Sequence, residues 1–210
     1  HHKIPKRGER ASCTLAGTIP IHCGPKGLTP LPDLLYRNNG DGTFTDISDS
    51  SGIRLVENAF GLGVIFLDFN LDGLADIYVT DDVTPNYLFQ NQGDGTFEEV
   101  GMVAGISYSG MGAVQSGMGV ECSDLTGDGL EDIVVMNYAE DYNTFYKNEG
   151  NGFFTDSSKE ARLYFETFHQ LSWAVLAFDP DFDGDLDLFF SNGHVIPQVD
   201  QTDAKQGYKQ

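Results

Sequence analysis

The sequence predicts an all-β chain of four-stranded antiparallel units, one about every 55 residues. Three observations carry that expectation. A nine-residue acidic loop occurs three times, opening at Asp68, Asp124 and Asp179. A Gly-rich turn alternates with it, at residues 38–44, 91–97 and 148–154. Short runs rich in Val, Ile, Phe and Tyr flank both, as strands do. Self-similarity at a fixed period indicates stacked repeats.

Taken in order, residues 1–32 read as a loop-rich extension. Four of the 12 basic residues stand at its start, Lys3, Lys6, Arg7 and Arg10, as a solvated tail or an interaction arm. Cys13 and Cys23 lie in a Gly/Pro-rich stretch with no strand or helix signal. A disulfide between them is expected, because it ties down a segment with little core of its own; two free thiols are the alternative. Residues 33–38 and 43–47 read as a third and a fourth strand. The next unit is whole: strands at 62–67, 76–80, 86–91 and 96–100. A second whole unit follows at 118–123, 132–136, 143–148 and 154–157. The last holds a first and a second strand, 173–178 and 187–191, before a polar tail at 201–210. Short turns are expected near 48–52, 100–105 and 158–163, with no amphipathic helix. Cys122 fills the slot of Phe66 and Ala177 and is expected free and buried, as a small hydrophobe. Trp173 is expected in the core. Each Gly-rich turn is read as a hairpin whose Phe returns to the core.

Four short strands per unit describe a β-propeller blade, and such propellers close with about 4–8 blades. Residues 33–200 hold about three blade equivalents. The expectation is a partial or open propeller: a piece of a longer protein, blades completed by partners, or an open array.

The acidic loops carry the chemistry. They place oxygen side chains at positions 1, 3, 5 and 9: Asp68, Asn70, Asp72 and Asp76; Asp124, Thr126, Asp128 and Asp132; Asp179, Asp181, Asp183 and Asp187. Position 6 is Gly in all three. Position 7 offers a backbone carbonyl, from Leu74, Leu130 and Asp185. Calcium takes about six to eight oxygen ligands, and a sharply turned loop supplies most of them. Helical EF-hands close with Glu at position 12; here that position is Val79, Val135 or Phe190, inside a strand. Three calcium ions, one per loop, are therefore expected on β-hairpins. Close carboxylates without a cation would repel one another.

A net charge of −20 over 210 residues argues against nucleic acid or an anionic membrane as partner. Ten of the Asp residues occupy loop ligand positions, so metal offsets part of that charge. No apolar run approaches the roughly 20 residues of a membrane span. No nucleophile–base arrangement or phosphate-binding Gly loop is visible, and no catalytic or organic cofactor-binding residue is assigned. His194 is read as a hydrogen-bonded structural residue.

The surroundings of the loops add a family. Phe60-Gly61-x-x-Val64-x-x-x-Asp68 before an acidic loop resembles the FG-GAP, or VCBS, blade of integrin α-chain propellers, with Thr80-Asp-Asp-Val in place of the Gly-Ala-Pro end. Four further stretches narrow the match: Cys13…Cys23-Gly-Pro-Lys-Gly-Leu28, Leu35-Tyr-Arg-Asn-Asn-Gly-Asp-Gly-Thr-Phe44, Asp82-Val-Thr-Pro-Asn-Tyr-Leu-Phe89 and Ser191-Asn-Gly-His194-Val-Ile-Pro-Gln-Val-Asp200. Together they resemble the cartilage acidic protein/ASPIC–UnbV family over roughly residues 12–200. That resemblance implies a secreted or surface calcium-binding propeller, periplasmic in a bacterium. Its C-terminal ASPIC–UnbV segment has no match within these residues.

Three functions follow as expectations. The first is a non-enzymatic extracellular binding or scaffold module in adhesion or assembly, with a protein or glycan partner on blade faces or edges. The second is a propeller-scaffold polysaccharide lyase or hydrolase, for which His194, Glu121, Asp141 and Arg37 are the available side chains. The third is a structural subunit of a larger assembly.

Overall fold

A computed structural model describes residues 13–201, apart from 16, 22, 26, 27 and 58. The basic N-terminal residues and the tail at 202–210 lie outside the described residues. Two four-stranded antiparallel sheets form the centre. The first is β5 (Gly61–Leu67), β6 (Asp76–Asp81), β7 (Tyr87–Asn91) and β8 (Phe97–Glu99), neighbours in that order. The second repeats it with β9 (Gly117–Ser123), β10 (Asp132–Asn137), β11 (Thr144–Asn148) and β12 (Phe154–Asp156). Two half-units flank them: β3 (Tyr36–Asn38) with β4 (Phe44–Asp46), and β13 (Ser172–Phe178) with β14 (Asp187–Asn192). Both whole blades and both halves lie where the repeats place them. No closed ring is formed by the described residues.

Strand alternation explains the core. The β6 and β10 strands are buried along their whole length. Successive side chains of a strand point to opposite faces, so each of these two strands feeds two layers. Tyr78 meets Ile133, Val135 and Tyr146 between the blades. Ile77 and Val79 turn the other way, onto Ile53 and Phe89. Val134 and Met136 face Val175, Leu188 and Phe190 of the last half-unit. The inner strands approach closely: a Cβ on Gly63 would stand 2.5 Å from the Met118 carbonyl oxygen, and one on Gly119 would collide with that of Trp173.

Several expectations are corrected. The Cys13–Cys23 disulfide is present, but its segment is not featureless: β1 (Cys13–Leu15) pairs with β2 (Ile19–Ile21). A three-residue strand on each side of a turn is too short to stand out in sequence. Two short helices occur, α1 (Gly101–Ala104) and α2 (Leu163–Thr167), with 3-10 turns at Ile53–Leu55 and Pro197–Gln201. Both helices and the first 3-10 turn fall at or just after expected turns, whereas the turn at Pro197–Gln201 matches none of them. Trp173 is 39% exposed and donates its indole N–H to the Gly193 carbonyl at 2.7 Å. Cys122 is free but only half-buried, at the seam between the blades with Sγ 3.6 Å from the Phe66 carbonyl oxygen. Burial there, with Glu131 and Glu121 adding repulsion, pushes its thiol up to about 11, away from the thiolate form. Of the turn phenylalanines only Phe154 is buried; Phe97 is half-buried and Phe44 is 61% exposed. Phe44 sits on a half-unit, with no first and second strands beside it.

Candidate metal-binding loops

Each acidic loop joins the first strand of a unit to the second. In the first loop the Asp68 carboxylate accepts the amides of Asp72 at 3.0 Å and Gly73 at 2.8 Å. Asp72 accepts the Leu74 amide at 2.8 Å, and Asn70 bonds Asp72 through both its oxygen and its nitrogen. The second loop repeats this: Asp124 takes the amides of Gly127, Asp128 and Gly129, and Asp128 that of Leu130. The third does so again, with Asp179 accepting Asp183 and Gly184, and Asp183 accepting Asp185. Backbone donors thus fold the carboxylates of positions 1 and 5 inward.

Positions 4 and 6 are left-handed in every copy. Leu71, Gly127 and Phe182 have φ of 60°, 73° and 62°. Gly127 thus meets, without strain, a conformation that costs an L-residue about 1–2 kcal/mol. Leu71 and Phe182 bear that cost.

The copies differ in how closely the carboxylates gather. Oxygens of Asp179, Asp181 and Asp183 lie within 4.8 Å of one another, a grouping found at no other acidic loop among the described residues. In the second loop Asp128 already has a cation: Lys147 Nζ is 3.5 Å from its Oδ2. The first holds the neutral Asn70 at position 3, where the third loop has Asp181.

Position 9 behaves differently from the rest. Asp76 and Asp132 are fully buried. Asp132 accepts the Leu125 amide at 3.1 Å and, across the sheet, the Asn148 amide at 2.9 Å. Asp76 does the same with Phe69 at 3.3 Å and Asn91 at 2.7 Å. Both carboxylates clamp the loop to the third strand. Burial, with Asp72 and Asp68 adding repulsion, pushes Asp76 up to about 6 against its backbone donors. Asp187 is exposed, with no third strand beside it among the described residues.

The side chains weighed for catalysis have separate surroundings. His194 is buried, its Nδ1 accepting the Ile196 amide at 3.0 Å, with its ring edge-on to Tyr138. Asp141 accepts the Ser116 amide at 3.0 Å, Glu121 the Ser123 hydroxyl at 3.4 Å, and Arg37 is exposed on β3. The Gly-rich turns are closed by their own side chains: Asn38, Asn91 and Asn148 each accept the amide two residues on, from Gly40, Gly93 and Gly150. They are turns rather than ligand sites.

One acidic group was not legible. Asp81 ends β6, wholly buried, with neither carboxylate oxygen in a hydrogen bond of normal geometry. Burial, then Asp33, pushes its carboxyl up to about 7, which Phe60 and Thr84 only moderate. The folded state therefore holds this proton more tightly than the unfolded chain, whose Asp titrates near 3.9. Stability contributed by the neutral form is full below about pH 4 and is lost as pH rises toward 7. Asp81→Asn is expected to stabilise the protein at pH 8 by roughly 2–4 kcal/mol and to change it little at pH 4.5. Equal effects in chemical denaturation at both pH values would refute this.

Comparison with known proteins matches this arrangement to a family. The FG-GAP-like repeat matches residues 29–79, 68–135 and 124–190. The chain belongs to the FG-GAP-like repeat family. Consecutive matches overlap on an acidic loop, so the loop links one FG-GAP-like repeat to the next. Cartilage acidic protein 1 of Xenopus tropicalis is 33% identical over 192 residues, covering 90% of this chain and 28% of that protein. The Mus musculus protein of the same name is 28% identical over 172 residues, 80% of this chain and 25% of its own. The Homo sapiens protein is 27% identical over 193 residues, 90% of this chain and 28% of its own. The chain thus spans about a quarter of the length of these curated relatives. Among the described residues no helix is long and apolar enough to cross a membrane.

Proposed function

We propose that the chain is a calcium-stabilised, non-enzymatic binding or scaffold module of extracellular type. The observation that carries this reading is the convergence of Asp179, Asp181 and Asp183, whose oxygens lie within 4.8 Å. Three carboxylates so close, folded inward by backbone donors, form a hard-oxygen set suited to a divalent cation. Asp187 and the Asp185 carbonyl would complete this donor set. By the shared pattern, Asp68, Asn70, Asp72, the Leu74 carbonyl and Asp76 would hold a second ion. Asp124, Thr126, Asp128, the Leu130 carbonyl and Asp132 would hold a third. The bound ion would neutralise carboxylate repulsion and fix each hairpin.

The acidic character in the relatives' name agrees with the charge of −20. Their likeness supports the extracellular and non-enzymatic parts of the reading. Blades 33–200, preceded by a disulfide-tied extension, would present faces and edges to a protein or glycan partner. Calorimetric titration of calcium into chelator-stripped protein tests the metal. Saturable binding at roughly 10⁻⁴–10⁻³ M is expected, as in extracellular modules, with magnesium bound far more weakly. Absence of any calcium heat, with an unchanged melting curve in chelator, would sink the proposal.

A further inference from the structure

We infer that the first whole blade holds a further divalent cation, between Asp81, Asp33 and the Thr84 hydroxyl, at the opposite end of β6 from its acidic loop. Asp81 closes β6 as Asp76 opens it, roughly 17 Å away along the strand, so this ion is separate from those of the acidic loops. The Asp81 side chain is wholly buried, and neither of its oxygens has a hydrogen-bond partner of normal geometry. The Thr84 Oγ1 atom beside it is buried and likewise without one. Orphaned polar atoms are rare in folded proteins, and an ion is one of the few things that satisfies them.

The second blade shows what these atoms lack. Asn137 ends β10 where Asp81 ends β6. Their backbone amides make the same bond, to the side-chain oxygens of Asn143 and Asn86 at 2.9 Å each. The Asn137 side-chain nitrogen then donates to the Tyr142 carbonyl at 2.7 Å and to the Thr144 hydroxyl at 3.1 Å. Gln115 fills the space beside them, donating to the Tyr142 carbonyl at 3.1 Å and accepting from Thr144 at 2.8 Å. In the first blade the counterparts of Tyr142, Thr144 and Gln115 are Pro85, Tyr87 and Ala59. A carboxylate, which only accepts when ionised, thus replaces a donor opposite a carbonyl. A methyl group replaces the side chain that filled the gap. A proton satisfies one oxygen; a cation serves both carboxylate oxygens and the carbonyl together.

Asp33 supplies the second charge. Gly61 lies opposite Asp81 in the sheet, and a Cβ there would stand 3.1 Å from Asp33 Oδ1 and 3.6 Å from its Oδ2. The missing side chain lets one carboxylate reach over the strand end toward the other. The charges that weigh most on Asp81 are Asp33 and then Asp82, both negative. Burial holds the Asp33 carboxyl above its usual range as well. Among the described residues neither Asp81 nor Asp33 forms an ion pair. Two carboxylates, the Thr84 hydroxyl and the Pro85 carbonyl offer about five oxygens, and water completes the six to eight that calcium takes. Two negative charges against a divalent ion leave the buried site neutral, which is what burial requires.

The test is Asp81→Asn, a residue the second blade already holds at this place. Equilibrium dialysis of the full chain against saturating calcium, with metal analysis, is expected to find one ion fewer per chain in the variant. Asp33→Asn should lose the same ion. Melting at pH 8 gives a second readout. The acidic loops are intact in wild type and variant, so their share of any calcium gain cancels. The rise in Tm from chelator to calcium should be smaller by roughly 5 °C or more in Asp81→Asn, and the advantage this variant has in chelator should vanish in calcium. Equal calcium content, or an equal rise in Tm, would overturn the inference and leave Asp81 a buried, protonated carboxyl. Failure of the acidic loops to bind would show separately, as a wild type that holds one ion and loses it in Asp81→Asn.

Discussion

Asp132→Ala is expected to lower the melting temperature by roughly 6–20 °C. The wild-type carboxylate is wholly buried and accepts two backbone amides, from Leu125 and Asn148. Truncation leaves both donors without a partner. Loss of a buried charged acceptor costs roughly 3–5 kcal/mol, and each kcal/mol shifts a domain of this size by about 2–4 °C. Asp187→Ala removes the same side chain at the same loop position. In chelator and at low protein concentration it should cost no more than about 0.5 kcal/mol, because Asp187 is exposed and clamps nothing. Thermal denaturation of the two variants side by side decides. Similar losses would mean that the clamp to the third strand is not what makes position 9 matter.

The second large effect concerns the metal. Asp183→Ala should remove more calcium-dependent stability than Asp128→Ala. Asp183 belongs to the gathered set with Asp179 and Asp181, and loop affinity follows ligand charge and rigidity. Asp128 shares its second oxygen with Lys147 at 3.5 Å, so an ion entering there must displace a cation. A site filled at a hundredfold excess over its dissociation constant contributes about 2.7 kcal/mol, or about 5–11 °C. The readout is the melting-temperature difference between calcium and chelator for each variant. The expected order is third loop, first loop, second loop. Equal losses for the two variants would defeat it.

The blades were legible because both of their signatures are local. Gly at position 6 and Asp at positions 1 and 5 mark a loop whose bonds run within nine residues, so spacing alone places it. The strands around it alternate over five to seven residues and register themselves once the loop is fixed. What escaped depends on distant partners. Asp76 and Asp132 read as ligands like their neighbours, yet each also bonds an amide some 15 residues away on the third strand. Asp81 looks like a surface acid beside Asp82 until β5 and Asp33 close over it. Trp173 follows a core pattern, but its sheet has only two strands to cover it. Lys147 belongs to the second loop only through the β10–β11 register.

Gly63 and Gly119 carry a consequence for the shape of the whole array. At both seams backbone approaches backbone, and at the first the Thr80 hydroxyl bridges the two, accepting the Gly63 amide at 3.0 Å and donating to the Met118 carbonyl at 2.6 Å. Each blade is a wedge whose thin end is set there and whose thick end is filled by Tyr78, Tyr146 and their neighbours. Neighbouring strands are about 4.8 Å apart, so the outer strand lies roughly 14 Å from the inner one. A methyl group added at the thin end would push two wedges apart at the hub while the rim stayed filled. The angle between them would narrow. A pair of hydrogens thus acts as the shim that sets the curvature of the array.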